Sequence, residues 1–347
     1  MNPEREYFMI KEIRDTPRAL AKVLEEEGSL RQIAEGLFKS GVRRLFLTGC
    51  GSSYYAALVA TQASAAPFLF QALPSSEMLF YQSGIAPRES AVIGISRSGR
   101  TAETLAALRE ARTRGITTVA ITCSEDSPMR AEADTGIFLD VGEEKSIIMT
   151  KTFSSLSLAS TLLCEEFGKI QGVAPRDRLR TESLPEMALQ ALRLEDDIKR
   201  IAEDVHTRDF FFVLGQGHTY PVALEGALKL METCNIMTTA LHILEFRHGP
   251  MAAVDDRVGI VVIALEDNSS KAVARLVKEA EQQGFRLFVL SNIPELEDAL
   301  ELPRDLDLRL SAPVTILPIQ LLAFYISVNR GLNPDSPRRL HKFVGGF

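Results

Sequence analysis

Short runs of aliphatic and β-branched residues alternate with stretches of helical periodicity along most of the chain. Residues 44–48, 91–96, 117–122 and 137–141 predict strands, and residues 54–65, 102–114 and 152–167 predict helices between and after them. Near-continuous apolar strands separated by helices signal a parallel sheet covered on both faces. Residues 171–183 contain Gly172, Pro175 and five charged residues, which predicts a connection between domains. A helix over 185–202 then opens a second strand–helix series. The longest apolar stretch, 312–328, is interrupted by Pro313, Thr315, Pro318 and Gln320. It reads as a buried core helix, too short and too broken to cross a bilayer.

The second series repeats the first. Leu47-Thr48-Gly49-Cys50-Gly51-Ser52-Ser53-Tyr54 lies beside Val213-Leu214-Gly215-Gln216-Gly217-His218-Thr219-Tyr220, and Ala57-Leu58 then matches Ala223-Leu224. Further on, the strand–helix–strand over 92–122 matches 261–291, with Gly115 opposite Gly284. Two copies of one α/β unit are expected. They differ in the loop after the second strand. The first copy reads Ser96-Arg97-Ser98-Gly99-Arg100-Thr101, whereas the second reads Leu265-Glu266-Asp267-Asn268-Ser269-Ser270, with two acids.

Composition narrows the class. A length of 347 residues predicts two domains at about 150 residues each. With 46% hydrophobic and 24% charged residues the chain is an ordinary globular one. A net charge of −7 argues against a nucleic-acid or anionic-membrane binder. Cys50, Cys123, Cys164 and Cys234 are scattered without CxxC or CxxH spacing, so reduced thiols of a cytoplasmic protein are expected, with no metal site. The N-terminal MNPEREYFMIKEI is charged and lacks the apolar core of a signal peptide.

Three places carry candidate chemistry. The Ser96–Thr101 loop, between a strand and a helix, offers free backbone N–H groups and the positive end of a helix dipole to an anion. Ser96, Ser98 and Thr101 add hydroxyls, Gly99 allows close approach, and Arg97 and Arg100 supply charge. Ser52 and Ser53, in the loop after the first strand beside Gly51, would face the same sheet edge. The other reading of these residues is turn and N-cap chemistry. No GxGxxG or GxxxxGK[ST] occurs, so a monophosphate fits better than a dinucleotide or nucleoside triphosphate. The second place is a helix over 221–233 with Glu225, Lys229 and Glu232 on one face; spacing alone favours an exposed, salt-bridged stripe. The third comprises His248 before Gly249-Pro250 and Lys342 in the basic tail Pro337-Arg338-Arg339-Leu340-His341-Lys342, both of ordinary kind by composition.

Taken in order, Cys50-Gly51-Ser52-Ser53, the Ser96–Thr101 loop, Thr150-Lys151-Thr152-Phe153, Ala223-Leu224-Glu225-Gly226-Ala227-Leu228-Lys229, Arg247-His248-Gly249-Pro250 and the Pro-Arg-x-Leu-x-Lys tail resemble a family with two sugar isomerase (SIS) domains. That family includes the isomerase half of glutamine–fructose-6-phosphate aminotransferase and stand-alone glucosamine-6-phosphate deaminases. The likeness spans nearly the whole chain, starting at Lys11-Glu12-Ile13. It implies two tandem SIS domains, each a flavodoxin-like parallel sheet with helices on both faces. The expected divisions are a helical segment at 1–30, a phosphate-binding domain at 31–180, an acid/base domain at 181–330 and a catalytic tail at 331–347.

The resemblance also implies roles. Gly51, Ser52, Ser53, Ser96, Ser98 and Thr101 match phosphate and sugar contacts, with Arg97 contributing backbone contacts. Glu232 matches the base that moves a proton between C1 and C2, where burial would raise its pKa toward working pH. His248 matches the group that assists ring opening, supplied in the family by the partner subunit of a homodimer. Lys342 matches an amine that forms a Schiff base with the open-chain ketose, provided desolvation keeps it partly neutral. Glu225 and Lys229 match supporting polar residues. No cofactor is implied, and neither nucleic acid nor membrane is an expected partner.

Two departures bear on substrate. Ser146-Ile147-Ile148-Met149-Thr150 places Met149 where the aminotransferase has a sugar-contacting serine, and Arg100 stands where it has an acid. The glutaminase half has no counterpart, which suggests catabolic work on a phosphorylated amino sugar or ketose. The expected reaction is glucosamine 6-phosphate to fructose 6-phosphate and ammonia. A fructosamine-6-phosphate deglycase and a non-catalytic sugar-phosphate sensor are the alternatives. The 43 residues before the first expected strand are read as too few for the helix-turn-helix of a regulator.

Overall fold

The computed structural model describes residues 7–64, 66–82, 84–173, 179–342 and 344–346. Residues 1–6 of the N-terminal segment, Ala65 at the end of an expected helix, and Pro175 with its neighbours in the expected connection lie outside the described residues. So do Phe343 and Phe347 of the tail.

Three helices come first: α1 (Phe8–Arg14), α2 (Thr16–Glu25) and α3 (Glu27–Lys39). The first repeat follows as β1 (Arg44–Gly49), α4 (Ser52–Ala63), β2 (Phe70–Pro74), α5 (Ser75–Phe80), β3 (Ser90–Ser96), α6 (Ala102–Thr113), β4 (Thr117–Thr122), α7 (Pro128–Glu132), β5 (Thr135–Phe138) and α8 (Lys151–Ile170). After α9 (Leu184–Leu192) and α10 (Glu195–Val205) come β6 (Phe210–Gly215), α11 (Tyr220–Cys234), β7 (Met237–His242), β8 (Val258–Ala264), α12 (Ser270–Gln282), β9 (Leu287–Ser291), β10 (Leu300–Glu301) and α13 (Ala312–Asn329).

Among the described residues the strands form two parallel five-stranded sheets, ordered β2-β1-β3-β4-β5 and β7-β6-β8-β9-β10. The orders are identical once the copies are superposed strand for strand. This is the flavodoxin-like order, which reverses between β1 and β3 and again between β6 and β8. β1, β3 and β4 are buried almost throughout, as sheets flanked by helices require.

The chain divides into two compact units that interleave in sequence. The first contains Asp15–Glu144, Lys151–Pro185 and the tail His341–Phe347; the second contains α1, residues 145–150 and Glu186–Leu340. In the first unit, Phe46, Val92, Leu108, Ala120 and Met129 form part of the core. Helix α8 is buried along most of its length despite its serines and threonines, because Ser155, Ser157 and Thr161 each donate to a carbonyl one turn back, at 2.8, 2.9 and 2.8 Å. In the second unit, Phe212, Ile260, Val262, Val277 and Val289 lie in a core on the sheet. The Asp335 carboxylate accepts from the Phe8 and Met9 N–H groups at 2.8 and 2.7 Å, and so anchors the start of α1 within this unit.

Several elements differ from the sequence expectation. Helix α4 begins at Ser52, two residues early, so Ser52 and Ser53 lie in its first turn and not in a loop. The strand expected at 137–141 is β5 at Thr135–Phe138; just after it, Leu139 N–H donates to the Thr122 carbonyl of β4 at 2.8 Å. The helix expected at 185–202 is two helices. Arg193 and Leu194 tighten into i→i−3 bonds at the end of α9, and Glu195, Asp196 and Asp197 start α10 with charge that suits a helix N-terminus. Pro318 does not break α13, which runs for 18 residues with Pro313 in its first turn. Among the described residues it is the one helix long and apolar enough to cross a membrane, and 89% of that stretch is buried inside the protein.

Candidate active site

Glycine geometry sets the first half of the site. A Cβ on Gly49 would lie 2.7 Å from the Ser53 backbone, and Gly51 has φ +53°, so the turn from β1 into α4 demands both glycines. The turn delivers Ser52 and Ser53, both buried, to the C-terminal edge of the sheet. On the adjacent strand β3, Ser96 ends the ladder. Its Oγ accepts from Gly99 N–H at 3.1 Å and lies 3.1 Å from Thr101 Oγ1. Ser98 Oγ accepts from Arg100 N–H at 3.2 Å. Gly99 sits at φ +63°, and a Cβ there would come within 1.8 Å of Ser127 Oγ. Thr101 is extended at the N-cap of α6 and makes no side-chain cap, leaving its hydroxyl facing the loop partners already named. Hydroxyls and amide groups thus gather at two loops flanking the point of sheet reversal, where α/β sheets bind ligands.

Gly99→Ala tests this turn. Left-handed backbone strain of about 1–2 kcal/mol adds to the clash with Ser127. The variant is expected to melt lower and to bind inorganic phosphate more than about tenfold more weakly by calorimetry, since misplaced loop N–H groups lose about 1.4 kcal/mol or more of contact.

Neither arginine offers its charge to the loop as expected. Arg97 is buried and turns away, its Nη1 pairing with Glu144 Oε2 at 2.9 Å. Arg100 is exposed and donates from Nη2 to the Asp126 carbonyl at 3.1 Å. What Arg97 contributes to the loop is main chain: its carbonyl accepts from Thr122 Oγ1 and Cys123 N–H, both at 3.1 Å.

The tail joins this unit. Lys342 Nζ donates to the Glu144 carbonyl at 2.6 Å, and Arg97 Nη2 donates to the Lys342 carbonyl at 3.1 Å. The Val344 carbonyl accepts from Ala102 N–H, at the start of α6, at 3.0 Å. Lys342 as a whole is an exposed residue, with its amine held on the Glu144 carbonyl in a part-buried hydrogen bond.

The second unit holds the acid/base helix. On α11, Lys229 Nζ lies 3.1 Å from Glu225 Oε1 and 2.7 Å from Glu232 Oε2. The stripe is salt-bridged but not exposed: Glu225 and Lys229 side chains are fully buried, and only Glu232 reaches out, at 20% exposure. Burial pulls the Lys229 ammonium down, but Glu225 and Glu232 more than offset this and hold its pKa above the ordinary lysine value. Glu232 is therefore the one carboxylate of the three-residue array open to a substrate, fixed from behind by a cation. A Cβ on Gly226 would meet Ile319 at 2.9 Å, so glycine lets α11 approach α13 closely. His248 lies in the turn between two short 3₁₀ segments, exposed, with its N–H on the Glu245 carbonyl at 2.9 Å.

The second copy of the phosphate-type loop is filled by its own acid. Asp267 Oδ1 accepts from Ser269 N–H and Ser269 Oγ at 2.7 and 2.6 Å, just ahead of α12. A carboxylate already occupies the position that an external anion would take. The first unit therefore assembles Gly51, Ser52, Ser53, Ser96, Ser98, Thr101, Arg97 and Lys342, and the second carries Glu225, Lys229, Glu232 and His248. Sequence reasoning missed Glu144. The need for a neutralising partner follows from the burial of Arg97, which the sequence does not show.

The SIS domain model matches residues 39–164 and 208–327, more than half of the chain and one copy in each repeat. Glutamine–fructose-6-phosphate aminotransferase (isomerizing) from Pyrococcus horikoshii is 33% identical over 98% of this chain and 58% of its own length. The enzyme of that name from Methanothermobacter thermautotrophicus is 34% identical over 98% of this chain and 57% of its own. The chain thus spans under two thirds of these relatives. Among solved structures, the C-terminal domain of glucosamine-fructose-6-phosphate aminotransferase from Francisella tularensis superposes with a TM-score of 0.85 at 25% identity, covering 95% of this chain and 98% of that one. Glucosamine-6-phosphate deaminase from Thermotoga maritima gives 0.74 at 26% identity, over 94% and 99%. With the family pattern falling on both copies of the duplicated sheet, the chain belongs to the SIS domain family.

Proposed function

We propose that the protein is a phosphosugar aldose–ketose isomerase that works as an amino-sugar phosphate deaminase, converting glucosamine 6-phosphate and water to fructose 6-phosphate and ammonia. The observation that carries this reading is the buried Glu225–Lys229–Glu232 array with a single outward carboxylate. Moving a proton between neighbouring carbons needs one base fixed near both, and an ion-paired carboxylate at the edge of a buried helix is such a base.

The phosphate is held by N–H groups and hydroxyls at Ser52, Ser53, Ser96, Ser98 and Thr101, with Gly51 and Gly99 allowing the backbone close. His248 assists ring opening, and in a homodimer it serves the partner's site. Glu232 takes the C2 proton of the open-chain aldehyde and returns it to C1, which leaves an imine at C2. The Lys342 amine adds to C2, ammonia leaves, and water hydrolyses the new imine to release fructose 6-phosphate and free Lys342. Local dipoles and hydroxyls do the work of phosphate binding against a net charge of −7. A cytoplasmic setting agrees with four cysteines that form no disulfide.

Half-buried Met149 and exposed Arg100 favour a second reading, a deglycase that splits a fructosamine 6-phosphate into glucose 6-phosphate and an amine. One panel decides. Purified protein with glucosamine 6-phosphate is expected to release ammonia and fructose 6-phosphate in equal amounts. Turnover of fructosamine 6-phosphates alone transfers the assignment to the deglycase, and binding without turnover of either identifies a sensor.

A further inference from the structure

We propose that the buried Arg97–Glu144 ion pair is a positioning device that holds the Lys342 amine in place beside the phosphate loop. The proposal rests on Lys342 acting as the imine-forming amine.

Arg97 stands in a loop of small residues built for an anion, yet its guanidinium is turned inward. Arg97 and Glu144 side chains are only 9% and 1% exposed. Burying two charges costs several kcal/mol per ion before their attraction is counted, so such a pair adds little as a stability device. Its connections point to another use. Arg97 Nη1 goes to Glu144 Oε2 at 2.9 Å, and Nη2 goes to the Lys342 carbonyl at 3.1 Å. Glu144 in turn takes Lys342 Nζ on its main-chain carbonyl at 2.6 Å. The same two residues therefore grip Lys342 at its backbone and at its amine.

Both grips refer back to rigid elements. The Arg97 carbonyl is fixed by Thr122 Oγ1 and Cys123 N–H at the end of β4, each at 3.1 Å. The Glu144 carboxylate accepts from Thr152 N–H at 3.2 Å and from the Thr152 hydroxyl, both in the first turn of α8. The tail carrying a reactive amine is thereby referenced to β4, the neighbour of β3 in the sheet, and to α8. Displacing a reacting group by about 1 Å can cost about 10²-fold in rate, so a fixed amine has direct kinetic value. On this view Arg97 acts through Lys342, and its role in phosphate binding is confined to its backbone.

Two variants test the pair while keeping the buried charge balanced. Arg97→Lys keeps the cation for Glu144 but loses the forked second donor to the Lys342 carbonyl. The double variant Arg97→Gln/Glu144→Gln replaces the charges with a neutral pair. Each is incubated with fructose 6-phosphate and borohydride, and reduced adduct on Lys342 is quantified by mass spectrometry beside kcat, KM and melting temperature. In protein that melts near the wild type, adduct is expected to fall about tenfold or more and kcat by about 10–100-fold, with KM changed less than about threefold. If the double variant does not fold, Arg97→Lys decides alone. Equal labelling and equal kcat in a folded variant overturn the positioning proposal and leave the imine reading intact. Active wild-type protein that gives no Lys342 adduct overturns the imine reading, and this proposal with it.

Discussion

Glu232→Gln is expected to lower kcat by about 10²–10⁴-fold, the usual contribution of a positioned general base. The substitution keeps the side chain's size and an oxygen for Lys229 Nζ, now 2.7 Å from Glu232 Oε2, and removes only the ability to take up a proton. Lys229 retains Glu225 at 3.1 Å, so the buried cation stays paired and the fold is expected to survive. Binding of a phosphosugar should change by less than about threefold, because the proposed anion contacts lie in the Ser96–Thr101 loop and uniform binding is not what a base supplies. Loss of kcat with unchanged KM, together with lost exchange of the substrate C–H proton into deuterated water, is the expected signature. Normal turnover by Glu232→Gln removes this residue from the role.

Glycines made the duplication legible. Gly49 and Gly215 both leave no room for a Cβ, at 2.7 Å from Ser53 and 2.4 Å from Thr219. Gly51 and Gly217 both sit near +54°, at +53° and +54°. Steric demands of this kind leave little freedom in sequence, so the two copies kept the same letters. β1, β3, β4 and their counterparts were also readable, since strands buried on both faces carry apolar and β-branched runs without a polar alternation. β2 and β7 went unseen because both lie at a sheet edge and are partly exposed, which dilutes the apolar run. The site was readable only as residue types. Glu225, Lys229 and Glu232 have the same i, i+4, i+7 spacing whether the face is wet or dry, and only packing showed it to be dry. The Arg97–Glu144 pair joins residues 47 positions apart, and local pattern carries no information about such a partner.

Lys229→Met carries the largest expected cost in stability. It leaves the Glu225 carboxylate, fully buried, without the cation 3.1 Å away, and strips Glu232 of its 2.7 Å partner. Removing one member of a buried ion-pair array typically costs about 3–5 kcal/mol, because the charge left behind is neither hydrated nor neutralised. Denaturant unfolding at neutral pH is expected to show a loss of that size, and adding Glu225→Gln to Lys229→Met should recover part of it. The pH dependence has a defined sign. The folded-state pKa of Lys229 is raised above the ordinary 10.5, so the folded protein holds this proton more tightly than the unfolded chain does. Its stabilisation is complete below that ordinary value and falls away as pH rises through the folded-state value. The gap between wild type and Lys229→Met should therefore be flat across neutral pH and narrow only in the strongly alkaline range. A gap under about 1 kcal/mol at neutral pH would mean that the array is hydrated in solution, and Glu232 would then lose the fixed cation that its proposed role as the proton-transfer base requires.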